Sequence, residues 1–228
     1  MSVLELRQYT VHGGRRGQFI ELFESAFLEP QAAAGMQIIG QFRDLDDPNR
    51  IAWLGAFPDM IARAQGLGTF YDSDAWKSNC DAANATMLDS DNVLLLAPTT
   101  PAAEFDASVR AGLVVANICY VERCLLPAFA QFFDDAMMPV VSAAGATVLG
   151  RYQTEFATNT FPTLPVREES VFVWFAGFAN AAIFECYREN MGDAPDWRKD
   201  ASSDLLRPFF RKPEVVRLAP TERSRLRA

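Results

Sequence analysis

The chain has 228 residues, half of them hydrophobic and 22% charged, a balance that suits one large folded domain or two small ones. Its 29 acidic and 21 basic residues leave a net charge of −8, which disfavours nonspecific nucleic-acid binding. One histidine and three lysines (Lys77, Lys199, Lys212) exclude a histidine triad and a multi-histidine metal site, and leave little choice of Schiff-base lysine.

The first element is the strand "VLELRQYTV" at 3–11, whose side chains alternate in direction. Glu5, Arg7 and Tyr9 share one face, and Leu4 and Leu6 the other. Gly13-Gly14 marks a turn, and Phe19, Ile20, Phe23 and Phe27 then recur at helical spacing until Pro30. Strands are predicted at 36–43 and 50–57, on either side of the turn "DLDDPN". Pro58-Asp59 opens a second helical region that runs, with a break, through Trp76 toward Met87, and "NVLLLAP" is a closing strand. "TTPAAEFDASVRAG" has the composition of a linker. Beyond it the pattern predicts a strand at 113–121, a helix at 123–141, strands at 146–153 and 169–178, a helix from 180 to about 206 and a strand at 214–219.

That order repeats the first half. Gly35 and Gly40 of "AAAGMQIIGQF" match Gly145 and Gly150 of "SAAGATVLGRY", and Trp53 of "AWLGAF" matches Trp174 of "VWFAGF". Trp76-Lys77 meets Trp197-Arg198, and "LAP" closes both copies. The offset grows from 110 to 121 between the second and third matches, so the second copy carries an 11-residue insertion in "TEFATNTFPTLPVREES". Each copy reads β-α-β-β-α-β, the split ferredoxin-like unit. The expected architecture is α+β: tandem ferredoxin-like repeats forming an α/β barrel with helices outside. Residues 1–98 are repeat 1, 99–111 a linker, 112–220 repeat 2, and 221–228 a solvated basic tail. Leu4 and Leu6 suit the helix layer, which would turn Glu5, Arg7 and Tyr9 into the barrel.

Several stretches, among them "ELRQYTVHGG", "EPQAAAGMQIIGQFRDLDDPNRIAWLGAFPDM", "DAANATMLDSDNVLLL" and "TFPTLPVREESVFVW", resemble the NIPSNAP family, a branch of the dimeric α/β-barrel superfamily. The resemblance runs from residue 3 to about 220 and implies the barrel fold. Related barrels include cofactor-free monooxygenases, lyases, isomerases and haem enzymes, so the resemblance implies little about reaction type. The chain departs from the family in having Gly13-Gly14 where Pro-Gly is usual. Val115, Asn117 and Cys119 stand in the second copy where the first has Glu5, Arg7 and Tyr9.

The candidate catalytic residues are therefore Glu5 as general base, Arg7 as the binder of a carboxylate or enolate oxygen, and Tyr9 as proton donor. The competing reading makes them a buried ion pair that fixes register, capped by the tyrosine. Gln41 and Arg43 share a predicted strand face with Gln37 and Ile39 and extend the polar patch, unless Arg43 pairs with Asp44 or Asp46. Trp53, Phe57, Trp174 and Phe178 read as core, or as walls for a flat apolar or aromatic ligand. Trp76 and Trp197 read as helix packing. The insertion reads as a lid, with Arg167 and Glu168 at its end, or as an arm of a dimer. His12 is expected at the surface, with a haem-ligand role as the alternative, and "DSDN" at 89–92 suits a turn.

The four cysteines (Cys80, Cys119, Cys124, Cys186) lack metal-site spacing and read as free thiols. Apolar runs broken by charge before about 20 residues predict no membrane span, and a cytoplasmic setting is expected. Together these features predict a cofactor-independent enzyme, with no metal, acting on a small apolar or aromatic molecule of specialised metabolism and assembled as a homodimer. The alternative is a noncatalytic ligand-binding or scaffolding protein.

Overall fold

The computed structural model describes residues 2–106, 108–193 and 212–228. Its strands are β1 (Val3–Val11), β2 (Gln37–Asp44), β3 (Arg50–Phe57), β4 (Met87–Pro98), β5 (Leu113–Tyr120), β6 (Thr147–Thr154), β7 (Val171–Phe178) and β8 (Glu214–Pro220). The helices are α1 (Arg16–Leu22), α2 (Leu28–Ala33), α3 (Met60–Asp72), α4 (Asp74–Asn84), α5 (Leu126–Phe132), α6 (Met138–Ala143) and α7 (Ala181–Asp193). Every strand expected from the pattern forms within two residues of its predicted ends, except that β4 starts earlier, at Met87, and absorbs "DSDN". Helix α7 is described over Ala181–Asp193, so Trp197 and the rest of the span predicted as helix to about 206 lie outside the described residues.

Hydrogen-bonded neighbours follow the order β1-β3-β2-β8-β5-β7-β6-β4, a closed antiparallel barrel of two ferredoxin-like sets. By chain contacts the molecule divides into two units: residues 1–97 with 155–168 and 219–227, and residues 98–154 with 169–218 and Ala228.

In the first unit β1 lies between β3 and β4, with Glu5 opposite Gly55 and Leu95, and Arg7 opposite Trp53 and Val93. Between α1 and α2 runs a π-turn, Phe23–Phe27. In an ideal α-helix residues eight apart drift roughly 80° out of phase. The wider π-turn returns Phe19, Phe23 and Phe27 to one buried face. It ends three residues before Pro30, so the proline falls in the first turn after a break in the i→i−4 ladder, and the helix continues to Ala33 rather than closing at Pro30. Gly35 has φ +90° and its repeat partner Gly145 φ +114°, the left-handed turn that ends the helix in each copy and explains the first matched glycine pair.

The tail is docked, not solvated. Thr221, Ser224 and Leu226 are buried, the Thr221 N–H donates to the Gln41 carbonyl at 2.9 Å, and Arg223 pairs with Glu29. At the β2–β3 turn Arg50 faces the Asp44 and Asp47 carboxylates, and Arg16 donates to the backbone carbonyls of both.

The second unit repeats the plan, with a π-turn at Phe133–Met137 and a core of Phe129, Phe133, Phe172, Trp174 and Phe178. Its "linker" packs as part of the unit: Ala103 is buried, and the Phe105 ring lies 4.8 Å from that of Phe175. Residues Arg123–Ala143 form one helical run long and apolar enough, by length and composition, to cross a membrane. That run is longer than the broken apolar stretches suggest, yet Phe129, Phe133, Met137 and Val141 are buried in the unit's core and Asp134 meets Arg151 at 2.8 Å.

Gly66 on α3 sets how closely that helix approaches its neighbours. A Cβ there would lie 2.9 Å from the Ala34 carbonyl oxygen and 3.2 Å from the Phe57 ring. Gly66→Ala gains helix propensity of about 1 kcal/mol, but overpacking against backbone costs about 1–3 kcal/mol. A lower urea midpoint is expected, and a raised one would show that α3 shifts freely.

Candidate active site in the first unit

The odd-numbered side chains of β1 face the helices. Tyr9 and Val11 share a cluster with Phe19, Phe23, Phe27, Leu67 and Phe70, and Glu5 meets Arg63 of α3. This reverses the expectation that Leu4 and Leu6 lie under the helices and that Glu5, Arg7 and Tyr9 enter the barrel. Eight of the nine residues of β1 are buried, on both faces alike. Alternating hydrophobicity therefore carried no information about direction.

Glu5 is fully buried, and its two oxygens accept from two guanidiniums: Oε2 from Arg7 Nε at 2.7 Å and Oε1 from Arg63 Nε at 2.6 Å. Burial pushes the Glu5 carboxyl up, but the two guanidiniums beside it outweigh that and hold it below the ordinary carboxylate value. Burial likewise opposes the charge on Arg7, and Glu5 overcomes it, so Arg7 stays protonated. Arg7 Nη1 donates to the Tyr9 hydroxyl at 3.1 Å, and Arg63 Nη1 to Asn159 Oδ1 at 2.9 Å. The Arg7 guanidinium carbon lies 5.3 Å from the centroid of the Trp53 ring, a buried cation–π contact.

Beside this chain of groups is a cavity of about 130 Å³. Its walls are Phe19, Phe23 and Phe27 from the first helix, Trp53 from β3, and Phe70, Tyr71 and Trp76 from α3 and α4. Its polar lining is Arg7, Tyr9, Gln31, Asn84 and Ser90. Arg7 Nη2, Gln31 Oε1 and Trp53 Nε1 are buried without a hydrogen-bond partner. Three such atoms belong to residues of one cavity wall, and each is a polar group that a bound molecule or water could meet. Burial pushes the Tyr71 phenol up, with Tyr9 adding to it, so that hydroxyl stays protonated.

The insertion of the second copy serves this unit. Its Asn159 holds Arg63, the Asn159 side chain also donates to the Leu164 carbonyl at 2.9 Å, and Leu164 lines the cavity. The Phe161 ring stacks on Tyr71, with centroids 5.8 Å apart and planes 20° apart. Thr160 is anchored to the Met60 carbonyl at 2.9 Å and the Arg167 N–H to that of Val93 at 2.8 Å.

Of the residues expected at a site, Arg7, Tyr9 and Trp53 line the cavity, while Glu5 stands behind Arg7 and does not. Gln41 faces the same side but borders a separate void of about 10 Å³ with Phe19, Phe23 and Trp53. A bulge between Ile38 and Gly40 breaks the assumed alternation of β2, which puts Ile38 and Gln41 on one face. Arg43 is half-buried beyond the cavity, and Phe57 is core. Arg167 does not line the cavity either; its Nη1 donates to Asn92 Oδ1 at 3.3 Å. Trp174 belongs to the second unit, where it lines another cavity with Val115 and Asn117. There the matching face is largely apolar, and burial pushes the Cys119 thiol up to about 12, which keeps it from acting as a thiolate. His12 is exposed, as expected. Among the described residues no group of His, Cys, Asp or Glu side chains has the arrangement of a metal site.

Arg63, Asn159 and, in the cavity wall, Gln31, Tyr71 and Asn84 are residues that sequence reasoning missed. For Arg63 a signal existed: Arg63, Gly66, Leu67 and Phe70 recur at helical spacing, so the arginine is in phase with the buried stripe of α3. Trp76 was read as packing, and nothing in the spacing distinguishes a wall from a core.

Residues 4–101 match the NIPSNAP family model. Among curated proteins none matches the sequence. Among solved structures, a protein from Lactobacillus acidophilus NCFM provisionally named a monooxygenase superposes with a TM-score of 0.59 at 12% identity, over 96% of this chain and 93% of that one. Another so named, from Fusobacterium nucleatum, gives 0.56 at 11% identity, over 96% and 92%. A NIPSNAP family protein from Agrobacterium tumefaciens C58 is 19% identical over 43% of this chain and 93% of its own, with a TM-score of 0.41. The two long superpositions establish a shared fold across the chain. Residues 4–101, which carry Glu5, Arg7, Tyr9 and Arg63, are a NIPSNAP domain.

Proposed function

We propose that the chain is a cofactor-independent enzyme that holds a small aromatic or apolar metabolite through one oxygen and favours the anionic form of that oxygen, as an enolate or phenolate. The observation that carries this reading is the aromatic cavity that Arg7 and Tyr9 line together, the guanidinium bonded to the tyrosine hydroxyl and its Nη2 without a partner among the described residues. Tyr9 accepts from Arg7 Nη1, which leaves its own proton to donate. Two donors then converge on one substrate oxygen, in a site walled by aromatic rings where such bonds are strong. Glu5 does not touch the cavity and is bound at both oxygens, so its part is to orient and charge Arg7 rather than to act as general base. Proton-transfer, isomerase, lyase and cofactor-free monooxygenase chemistry all pass through such an anion. The provisional monooxygenase names of the two superposed proteins are in keeping with that group, and their identity is too low to select within it.

The test is α-proton exchange in D2O, with solvent or buffer base taking the proton, followed by NMR across a panel of single-ring aryl ketones and aryl keto acids that carry an α-hydrogen. Exchange above the buffer rate for at least one member is expected. Exchange at the buffer rate throughout would remove the catalytic reading. A second reading, a noncatalytic ligand-binding protein, has one observation in its favour: among the described residues no carboxylate and no imidazole lines the cavity.

A further inference from the structure

We infer that the ligand of this cavity is a single-ring aromatic molecule that carries one full negative charge when it binds. The inference rests on the proposed ligand site and adds its charge and size. Within the buried cluster, two guanidiniums, Arg7 and Arg63, face one carboxylate, Glu5, and all three side chains are at most 1% exposed. The other groups bonded to them, the Tyr9 hydroxyl and the Asn159 amide, are neutral. The cluster therefore holds a net charge of +1 away from water, with Arg7 Nη2 and Arg63 Nη2 both unpartnered. A lone buried charge is strongly unfavourable unless an opposite charge meets it. Trp53 offers Arg7 a ring face at 5.3 Å, which compensates only in part. Arg63 does not line the cavity and Arg7 does, so Arg7 is where an anionic ligand meets the cluster.

Size narrows the ligand further. The cavity holds about 130 Å³, and a dry cavity of about 150 Å³ accepts benzene. Ring walls on several sides, Phe23, Phe27, Trp53, Phe70 and Trp76 among them, suit a flat ring with its charged oxygen toward Arg7 and Tyr9. A carboxylate, an enolate and a phenolate share that chemistry.

Benzoate and its neutral isostere benzamide separate charge from shape. Titration of the full chain by calorimetry, with ligand-observed NMR for weak binding, is expected to favour benzoate by roughly 10- to 100-fold, the effect of one charge-assisted hydrogen bond. Arg63→Met makes the cluster neutral without touching the cavity wall. In that variant, checked for folding by circular dichroism, benzoate affinity falls toward that of benzamide while benzamide affinity is unchanged. If the variant does not fold, the wild-type ratio alone decides. Benzamide binding as tightly as benzoate overturns the charge inference and leaves the ligand site standing. Binding of neither at millimolar concentration overturns the ligand site and the inference with it.

Discussion

Glu5→Gln lowers the free energy of unfolding by about 3–5 kcal/mol near neutral pH, because it removes the one carboxylate between two buried guanidiniums. The pH dependence fixes the cause. The folded protein holds the Glu5 carboxyl below its ordinary value of 4.5, so the unfolded chain takes up this proton first. The stability that Glu5 contributes is complete above the unfolded value and is lost as pH falls through the folded one. The gap between wild type and Glu5→Gln is thus constant above about pH 6 and narrows on acidification below 4.5. Urea titrations at pH 7 and pH 3.5 measure both. A gap under about 1 kcal/mol at pH 7 would mean that the two arginines find another counter-charge, and the charge argument for the ligand would fall with it.

How far the sequence foretold this arrangement depends on which physical signal each feature leaves. The duplicated glycines and tryptophans were enough for two ferredoxin-like copies, since Gly35 and Gly145 answer to a backbone angle that leaves few alternatives. The grouping of Glu5, Arg7 and Tyr9 was legible too, because period two places them together wherever the strand points. Their direction was not, since a strand buried on both faces gives alternation no sign. Arg63 lies 58 residues from its partner Glu5, and Asn159 lies 96 from Arg63; contacts at such separation have no local pattern to announce them. The bulge after Ile38 puts Gln41 on the face of Ile38 rather than that of Gln37 and Ile39, as one extra residue inverts every later position on the strand. The insertion was recognised from its length alone, and its packing on Tyr71 and Arg63 follows from Phe161 and Asn159, which composition did not set apart.

Tyr9→Phe separates chemistry from scaffolding. The ring packs edge-on against Phe19 at 6.0 Å and Trp53 at 6.3 Å, and the variant keeps both contacts. What it loses is the hydroxyl that accepts from Arg7 Nη1 and that we assign to the substrate oxygen. Losing the acceptor leaves one more buried donor unpaired and costs about 1–3 kcal/mol of stability, which circular dichroism melting reads directly. Losing the donor costs about 10²- to 10³-fold in kcat for the exchange reaction, by the usual effect of removing one of two oxyanion donors. Because that bond strengthens as charge develops on oxygen, kcat and kcat/KM fall together and KM moves little. A purely structural hydroxyl predicts the opposite division: a lower melting temperature with turnover intact. The two guanidinium bonds to Glu5 persist in the variant, so Arg7 stays charged and in place, and an undiminished kcat would assign the oxyanion to Arg7 alone.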